Sequence, residues 1–450
     1  MNFARALRPS WLGYGLCNVA VSLGLLPINL LLLYYLTQIA GIPGALAGSI
    51  IALPKVWDAL IDPMFGGWVD QVSIRMRRRA PAILISALVF AASLAGIFAL
   101  PAHLPVYTVA VIAIVLLILS SVAQTAIGVS QYAIATEMTT NSVELSTLLA
   151  TATIAAQVSS VIASPALPFL VSATGGGKTG YTMMAASIAA VVLAALVLFV
   201  LSVRKVPVRV TGTDPQTISI WKSLRKTIGN ATFYNLIGLI VCLNGSIVIQ
   251  LGLLPFANQY VLHGNTGTLA LLEGVLGGAV LAGMVMTPFI VRYMHALTAM
   301  LIANICVATL MALLLAATYG PLWMTLLGLG LIGAGSGVVG VLIQTAILEA
   351  AQKALPDGTV VALGFYLGIM VASMKLGSSA GSFVSGQMLL FVGFVNGATV
   401  QSAGAITGIR IGYTLVPCLF VLLATWSLYR GWLRENRSSA PDEPAIMAAP

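Results

Sequence analysis

Long apolar runs with very few charges dominate this 450-residue chain and limit what it can fold into. Only 7% of its residues are charged and 59% are apolar, whereas a soluble domain carries about 25% charged residues. A bilayer-spanning helix needs roughly 20 apolar residues, so the chain has room for about a dozen spans with short loops. We therefore predict an all-α membrane protein, and we exclude a soluble enzyme, a disordered chain and a disulfide-rich scaffold.

Loop signals divide the apolar sequence into twelve predicted transmembrane helices. The longest polar interval follows the sixth span and separates two sets of six. This is the plan of the major facilitator transporters, whose halves rock around a site at the bilayer midplane. We predict an N-terminal six-helix half over 1–203, a cytoplasmic linker over 204–229, a C-terminal six-helix half over 230–430 and a disordered cytoplasmic tail over 431–450. The predicted spans are 11–38, 44–70, 80–100, 104–137, 144–172, 181–203, 230–260, 267–290, 296–317, 321–350, 358–390 and 407–430.

The basic residues mark one side of the predicted bundle. The net charge is +9, and 17 of the 21 lysines and arginines lie near the termini or in every second loop. Cytoplasmic loops of membrane proteins gather Lys and Arg in this way. We therefore predict an integral protein of a bacterial inner membrane with both termini in the cytoplasm, and no binding to nucleic acid.

Charged residues inside two of the predicted spans point to a functional cluster. Lys55, Asp58 and Asp62 share one face of the second span, and Lys375 lies roughly halfway along the eleventh. A charge at the centre of a membrane helix costs about 2.5–3.5 kcal/mol, so each one needs a partner or a role. One interpretation is a buried ion-pair network that fixes helix packing. The interpretation that we favour is a cation site, where a coupling ion competes with Lys375 for the two carboxylates.

The motif around these charges is specific. The run from Lys55 to Pro63 reads KVWDALIDP, and Gly66-x-x-x-Asp70 and Arg77-Arg78-Arg79 follow it. Individually weaker motifs continue in order along nearly the whole chain, among them Glu137-Met138-Thr139, Asn230-Ala231-Thr232-Phe233 and Lys375-Leu376-Gly377. Together these residues resemble the glycoside–pentoside–hexuronide:cation symporters, the melibiose permease-like family of the major facilitator superfamily.

The resemblance implies a secondary transporter and places a coupling cation at the second span. The cation-binding residues that it implies are Asp58, Asp62, Thr125 and Lys375. Sodium-using members also carry an amide directly before the second aspartate, where this chain has Ile61. Hard cations want several oxygen ligands, whereas a proton needs one carboxylate. We therefore favour H⁺ over Na⁺ as the coupling cation, and we expect no cofactor and no metal.

The substrate site implied by the resemblance departs from the sugar-carrying members. Those members have an aspartate in the first span, another in the fourth and an arginine in the fifth, where this chain has Asn18, Gly128 and Thr153. Carboxylates and arginine bind sugar hydroxyls strongly, so we expect a substrate less polar than a typical sugar. Alternatively, the polar residues here only bond neighbouring helices. The predicted substrate-binding residues are Asn18, Gln124, Gly128, Gln131, Tyr132, Thr153 and Gln157.

The loop after the second span resembles the general facilitator loop motif, which implies a latch between the halves on the inner side. Alternatively, its arginines only fix the orientation of the chain in the membrane. Glu273 and Arg410 lie near predicted span ends, where they reach water, and receive no role. The predicted gating residues are Asp70, Arg75, Arg77, Arg78, Arg79, Glu137 and Glu144.

The sequence therefore predicts a symporter that moves a small-molecule substrate by alternating access, as a monomer surrounded by membrane lipids. Three alternatives stay open: a sugar:cation symporter, a proton-driven exporter of amphiphiles, and a non-transporting assembly factor that binds lipid or pigment. An enzyme is not expected, because the sequence contains no nucleophile–base pair, metal-ligand spacing or phosphate-binding loop.

Overall fold

Helices form almost all of the described protein. The computed structural model describes residues 9–76, 80–101, 104–139, 142–204, 231–354 and 360–438. Within these ranges there are twelve helices of 18 residues or more and no strand. A π-helical turn, Tyr35–Ile39, ends the first span, and a second, Ala257–Val261, ends the seventh. The long helices are α1 (Pro9–Leu30, continued by the short helix Leu32–Tyr34), α2 (Gly44–Met76), α3 (Ala80–Ile97), α4 (Val106–Met138), α5 (Ser142–Ala173), α6 (Gly177–Val203), α7 (Ala231–Phe256), α8 (Thr266–Ile290), α9 (Ala296–Ala317), α10 (Leu322–Ala354), α11 (Val360–Phe391) and α12 (Ala403–Ser438).

Short turns with specific chemistry separate several of these helices. The turn between α5 and α6 uses Gly175 and Gly176 at φ values of +95° and +67°, which residues with a Cβ adopt at a cost. The side chain of Asn265 accepts a hydrogen bond of 3.0 Å from the Thr268 N–H and so caps the start of α8. The local sequence therefore fixes where these two helices begin.

Ten of the described helices are long and apolar enough to cross a membrane. The other two long helices are α2 and α11, which carry Lys55, Asp58 and Lys375. Because lipid does not solvate these charges, both helices depend on polar partners inside the bundle.

The helices pack as two groups, which contact each other through a few pairs of helices. In α1–α6, which we call the N-terminal half, α1 packs on α5 and α6, and α3 packs on α4 and α6. In α7–α12, the C-terminal half, α7 packs on α11 and α12, and both α8 and α9 pack on α10. The halves meet where α2 contacts α11, α5 contacts α8 and α1 contacts α7.

The described residues include only part of the predicted linker and part of the predicted C-terminal tail. Beyond Arg204, the linker predicted over 204–229 lies outside the described residues. Helix α12 continues to Ser438, past the predicted end of the last span at 430. The sequence places Arg434 and Arg437 in the last turns of this helix, where cations interact favourably with the helix dipole. Residues 439–450 of the predicted tail lie outside the described part.

The two halves are held together towards one end of the bundle. We call it the outer end, following the predicted orientation; it carries the loops at 40–43, 174–176, 262–265 and 392–402. The Tyr34 hydroxyl donates to the Gln259 side chain there, and the Tyr260 hydroxyl donates to Oε1 of Gln38 at 3.2 Å. Further hydrogen bonds between described residues of the two halves continue from this end to the level of Asp58.

Helices α2 and α11 approach each other through their backbones. A Cβ atom on Gly48 would lie 2.7 Å from the Cα of Gly386 and 2.8 Å from the carbonyl oxygen of Ser382. Neither backbone atom can move without the helix that carries it. The contact between the halves therefore requires glycine at position 48.

We predict that Gly48→Ala destabilises the contact between the halves, because its methyl group overlaps the α11 backbone. Overpacking of this kind costs about 1–3 kcal/mol, so we expect a lower melting temperature in lipid nanodiscs. The matched control is Gly274→Ala on α8, where a Cβ meets nothing within 4 Å. Equal melting temperatures for the two variants would contradict the close approach.

Candidate cation and substrate site

An ion pair joins the two halves at the centre of the bundle. The Lys375 ammonium on α11 contacts the Asp58 carboxylate on α2, and their side chains are 26% and 11% exposed, respectively. The Thr125 hydroxyl on α4 donates to Oδ1 of Asp58 at 3.3 Å. The structure thus brings together three of the four predicted cation-site residues. The side chain of the fourth, Asp62, lies outside the described part, although its backbone belongs to α2.

Lys55 lies one turn from Asp58 on α2 and has different partners. Its ammonium donates to Oδ1 of Asn29 on α1 at 3.3 Å and to the hydroxyl of Ser382 on α11 at 3.2 Å. Lys55 therefore bonds neutral side chains within the described residues, while Lys375 pairs with the carboxylate. The two lysines are not equivalent in this site.

Serines of α11 continue the polar contact with α2, and sequence reasoning missed them. The Ser379 hydroxyl donates to the Ala52 carbonyl at 2.9 Å, and Ser382 accepts from Lys55. Both serines lie on the α11 face that carries Lys375, at steps of four and seven residues. That spacing was visible in the sequence and is a signal for a polar helix face.

Most of the predicted substrate residues on α1 and α4 lie close together. The Gln131 side chain donates to Oδ1 of Asn18 at 2.8 Å, which joins α4 to α1. Gln124 bonds within α4, donating to the Ser120 hydroxyl at 3.1 Å. A Cβ on Gly128 would meet nothing within 4 Å, and Tyr132 is 61% exposed. The α4 surface around Gly128 therefore leaves open space.

The remaining two predicted substrate residues lie on the α5 face that points towards the other half. Thr153 and Gln157 precede Val161 and Ser164 on this face, at steps of four, four and three residues. Val161 packs against Gly277 of α8. The Thr153 hydroxyl donates to the Leu149 carbonyl of its own helix at 2.9 Å. The side chains of Thr153 and Gln157 thus lie on the line along which the halves face each other.

The side chains of the predicted inner latch are described only at Glu137 and Glu144. Glu137 is buried near the end of α4, and Glu144 accepts a hydrogen bond of 2.9 Å from the Thr139 hydroxyl. The side chains of Asp70 and Arg75 and the whole of Arg77, Arg78 and Arg79 lie outside the described residues. The pairing of acids with arginines at the inner end stays a prediction.

The expected position of Glu273 is wrong. The sequence placed it near a span end in contact with water, but its side chain is 3% exposed. Helix α8 begins at Thr266, so Glu273 lies two turns inside it and faces Ser164 of α5 in the other half. The boundary of α8 was predicted closely; the partner helix that covers Glu273 was not visible in the sequence.

Comparison with known proteins agrees with this architecture. Residues 13–434 match the model of a family described as MFS/sugar transport protein. The chain belongs to this family. It is 25% identical to the uncharacterized symporter YjmB of Bacillus subtilis over 87% of this chain and 85% of that one. It is 26% identical to the isoprimeverose transporter of Lactiplantibacillus pentosus, with 90% and 84% covered.

Solved structures show the same fold. The nucleoside transporter NupG superposes with a TM-score of 0.68 at 14% identity, covering 94% of this chain and 99% of that one. The protein therefore has the all-α fold of the major facilitator transporters, and the family resemblance inferred from the sequence motifs is confirmed. As a member of the MFS/sugar transport family, it is an integral membrane transporter rather than an enzyme.

We predict that Asp58 and Lys375 are energetically coupled in this MFS/sugar transport protein. In a double-mutant cycle of Asp58→Asn and Lys375→Met, the double variant should lose less stability than the two single losses together, by about 0.5–3 kcal/mol. The measurement is unfolding in lipid nanodiscs. The matched cycle uses Lys55→Met with Asp58→Asn and should show a smaller coupling, because Lys55 bonds Asn29 and Ser382 and only neighbours Asp58 one turn away. Additive losses for Asp58 and Lys375 would show that their contact contributes nothing.

Proposed function

We propose that this transporter is a cation-coupled symporter that carries a small, uncharged solute, less polar than a typical sugar, by alternating access. The observation that carries the proposal is the ion pair between Asp58 and Lys375, which ties α2 of one half to α11 of the other. A charge pair inside a membrane bundle is expensive to keep, and a coupling role gives a reason for it.

The chemistry of the pair explains how an ion is linked to movement of the halves. A cation that binds Asp58 competes directly with the Lys375 ammonium, and the Thr125 hydroxyl supplies a second oxygen. Proton transfer to Asp58 has the same effect, because a neutral carboxyl no longer holds the ammonium strongly. In either case occupancy of the site weakens a contact that joins the two halves. We propose H⁺ as the coupling cation, on the absence of an amide at position 61.

Alternating access is supported by where the halves touch. The hydrogen bonds between described residues of the two halves run from the outer end to the level of Asp58. A bundle closed on its outer side is the arrangement that an inward-facing state of a rocking transporter requires. With the predicted orientation, in a bacterial inner membrane with both termini in the cytoplasm, the solute leaves this state towards the cytoplasm.

The substrate class is proposed from the polar side chains of α1, α4 and α5 that are predicted to bind substrate. Amide and phenol groups are available at Asn18, Gln131, Tyr132 and Gln157, and the first two already bond each other. Such a surface can orient a solute but lacks the charged groups that hold many hydroxyls at once. The second candidate is a sugar, which the family description and the isoprimeverose transporter among its relatives favour.

We predict that an amphiphilic glycoside stabilises the purified protein more than a sugar does. Binding to the folded state raises the melting temperature by mass action. The measurement is thermal unfolding in lipid nanodiscs with isoprimeverose or with a short-chain alkyl glycoside, since a detergent would occupy an amphiphile's site. Stabilisation by isoprimeverose alone would establish the sugar and overturn the less polar substrate.

We predict that Asp58→Asn abolishes uphill accumulation of the stabilising solute while leaving downhill exchange intact, because the amide can neither bind nor release the coupling ion. The measurement is uptake into proteoliposomes driven by a pH gradient without sodium. The control is Lys178→Gln, which removes an exposed charge at the outer end of α6.

The other interpretations make different predictions in that assay. Continued accumulation by Asp58→Asn would overturn the coupling role, and accumulation only with sodium would overturn proton coupling. Outward transport under the same gradient would identify an exporter. No ion-dependent movement of any solute would favour the assembly factor.

A further inference from the structure

A second acidic side chain, that of Glu273, is buried between the halves, and it is distant in sequence from Asp58 and Lys375. The Glu273 carboxyl on α8 accepts a hydrogen bond from the Ser164 hydroxyl on α5 and so joins the C-terminal half to the N-terminal half. Its other oxygen, Oε1, is buried and has no hydrogen-bond partner among the described residues. The hydroxyl of Tyr413 on α12 is also buried without one. None of these three residues belongs to the cation site or to the predicted inner latch.

The surroundings of Glu273 do not offer a countercharge. No lysine, arginine or histidine of the described residues forms an ion pair with it. On α5 the neighbouring groups are the Ser164 hydroxyl and apolar Val161, and on α12 the nearby titratable group is the Tyr413 phenol. Described α10 offers Gly333 and Gly337, whose backbones pack against α8. Arg410, one turn from Tyr413, stacks its guanidinium on the Tyr319 ring at 3.6 Å.

Burial of an unpaired carboxylate is costly, because the lost hydration is not replaced by an opposite charge. A neutral carboxyl avoids this cost and satisfies the Ser164 contact as an acceptor. The same carboxyl gains water as soon as α5 and α8 separate at the outer side. Helix α5 is suited to such movement, since Pro165 and Pro168 next to Ser164 remove two backbone donors from its ladder.

We propose that Glu273 is a proton-binding site that controls the outer gate, with Ser164 as its partner across the gate. The proton comes from outside water when α5 and α8 close on each other, and it returns there when they part. Closure then binds a proton, so external acid favours the closed gate and external alkali favours the open one. The proposal rests on the alternating-access part of the proposed function, but it does not depend on Asp58 as the coupling site.

The protonation state can be measured without transport. The probe is the proton itself: infrared difference spectra of the protein in lipid nanodiscs, recorded over a pH series, report the carbonyl stretch of protonated carboxyl groups. We expect a band at neutral pH that Glu273→Gln removes and Asp58→Asn leaves in place. Ser164→Ala should shift the band without removing it, because the carboxyl stays but loses its hydrogen bond. A band unaffected by Glu273→Gln, or no band at neutral pH, would overturn the proposal.

The gate itself is tested by distances across the outer end. Spin labels on cysteines at Lys178 of α6 and His263 of the loop before α8 report the separation of the halves, in a background with Cys242 and Cys306 replaced by serine. We expect the longer-distance population of the otherwise wild-type protein to grow as the pH rises. Glu273→Gln, whose side chain stays neutral, should lose this pH dependence and remain closed.

A Glu273→Gln variant that keeps the full pH dependence of the distances would overturn the gate role. Should that variant fail to fold, the pH series on the labelled parent and on Ser164→Ala decides the question, because a gate that ignores pH in both contradicts the proposal. Failure of the symporter proposal is distinguishable from failure of the gate proposal. In that case Asp58→Asn would still concentrate solute, and the Glu273 band and the pH-dependent distances would persist.

Discussion

The cost of placing charge inside a bilayer explains the arrangement at the centre of this protein. Helices α2 and α11 carry Lys55, Asp58 and Lys375 at depths where lipid offers no solvation. These charged side chains therefore need polar or charged partners inside the bundle. The pair of Asp58 and Lys375 forms across the boundary between the halves instead of within one half. The ion pair is therefore also an attraction between the two halves, which are the parts that the proposed alternating access requires to move.

The glycine contact and the ion pair both lie between α2 and α11, but they depend on different physical effects. Close backbone approach at Gly48 and Gly386 depends on shape and is insensitive to any ion. The Asp58–Lys375 contact depends on charge, so a cation or proton at the carboxylate would weaken it. Under the proposed coupling, one interface combines a permanent requirement for close fit with a contact that an ion switches. The halves then stay in register while their affinity for each other changes.

Much of this organisation could be predicted from the sequence, and the limits have physical causes. The spans, the family and the meeting of Asp58, Thr125 and Lys375 followed from hydropathy and a specific motif, because each depends on residues close in the chain or on a strong resemblance. The burial of Glu273 was missed, since the helix that covers it lies more than 100 residues away. The contact of Lys55 with Ser382, 327 residues away, was missed for the same reason. Spacing can reveal a polar helix face, but it does not show which distant helix that face contacts.

The two π-helical turns carry a consequence for the origin of the fold. Each closes the first helix of its half, and two hydrogen bonds join the halves at these turns: Tyr34 with Gln259, and Tyr260 with Gln38. A tyrosine and a glutamine from one half thus meet a glutamine and a tyrosine from the other. The bonded side chains do not occupy equivalent positions in the two turns, whereas the π-helical turn itself recurs at the same place in each half. Recurrence of one local backbone feature in both halves is what an internal structural repeat predicts, with the contacts between the repeats having diverged.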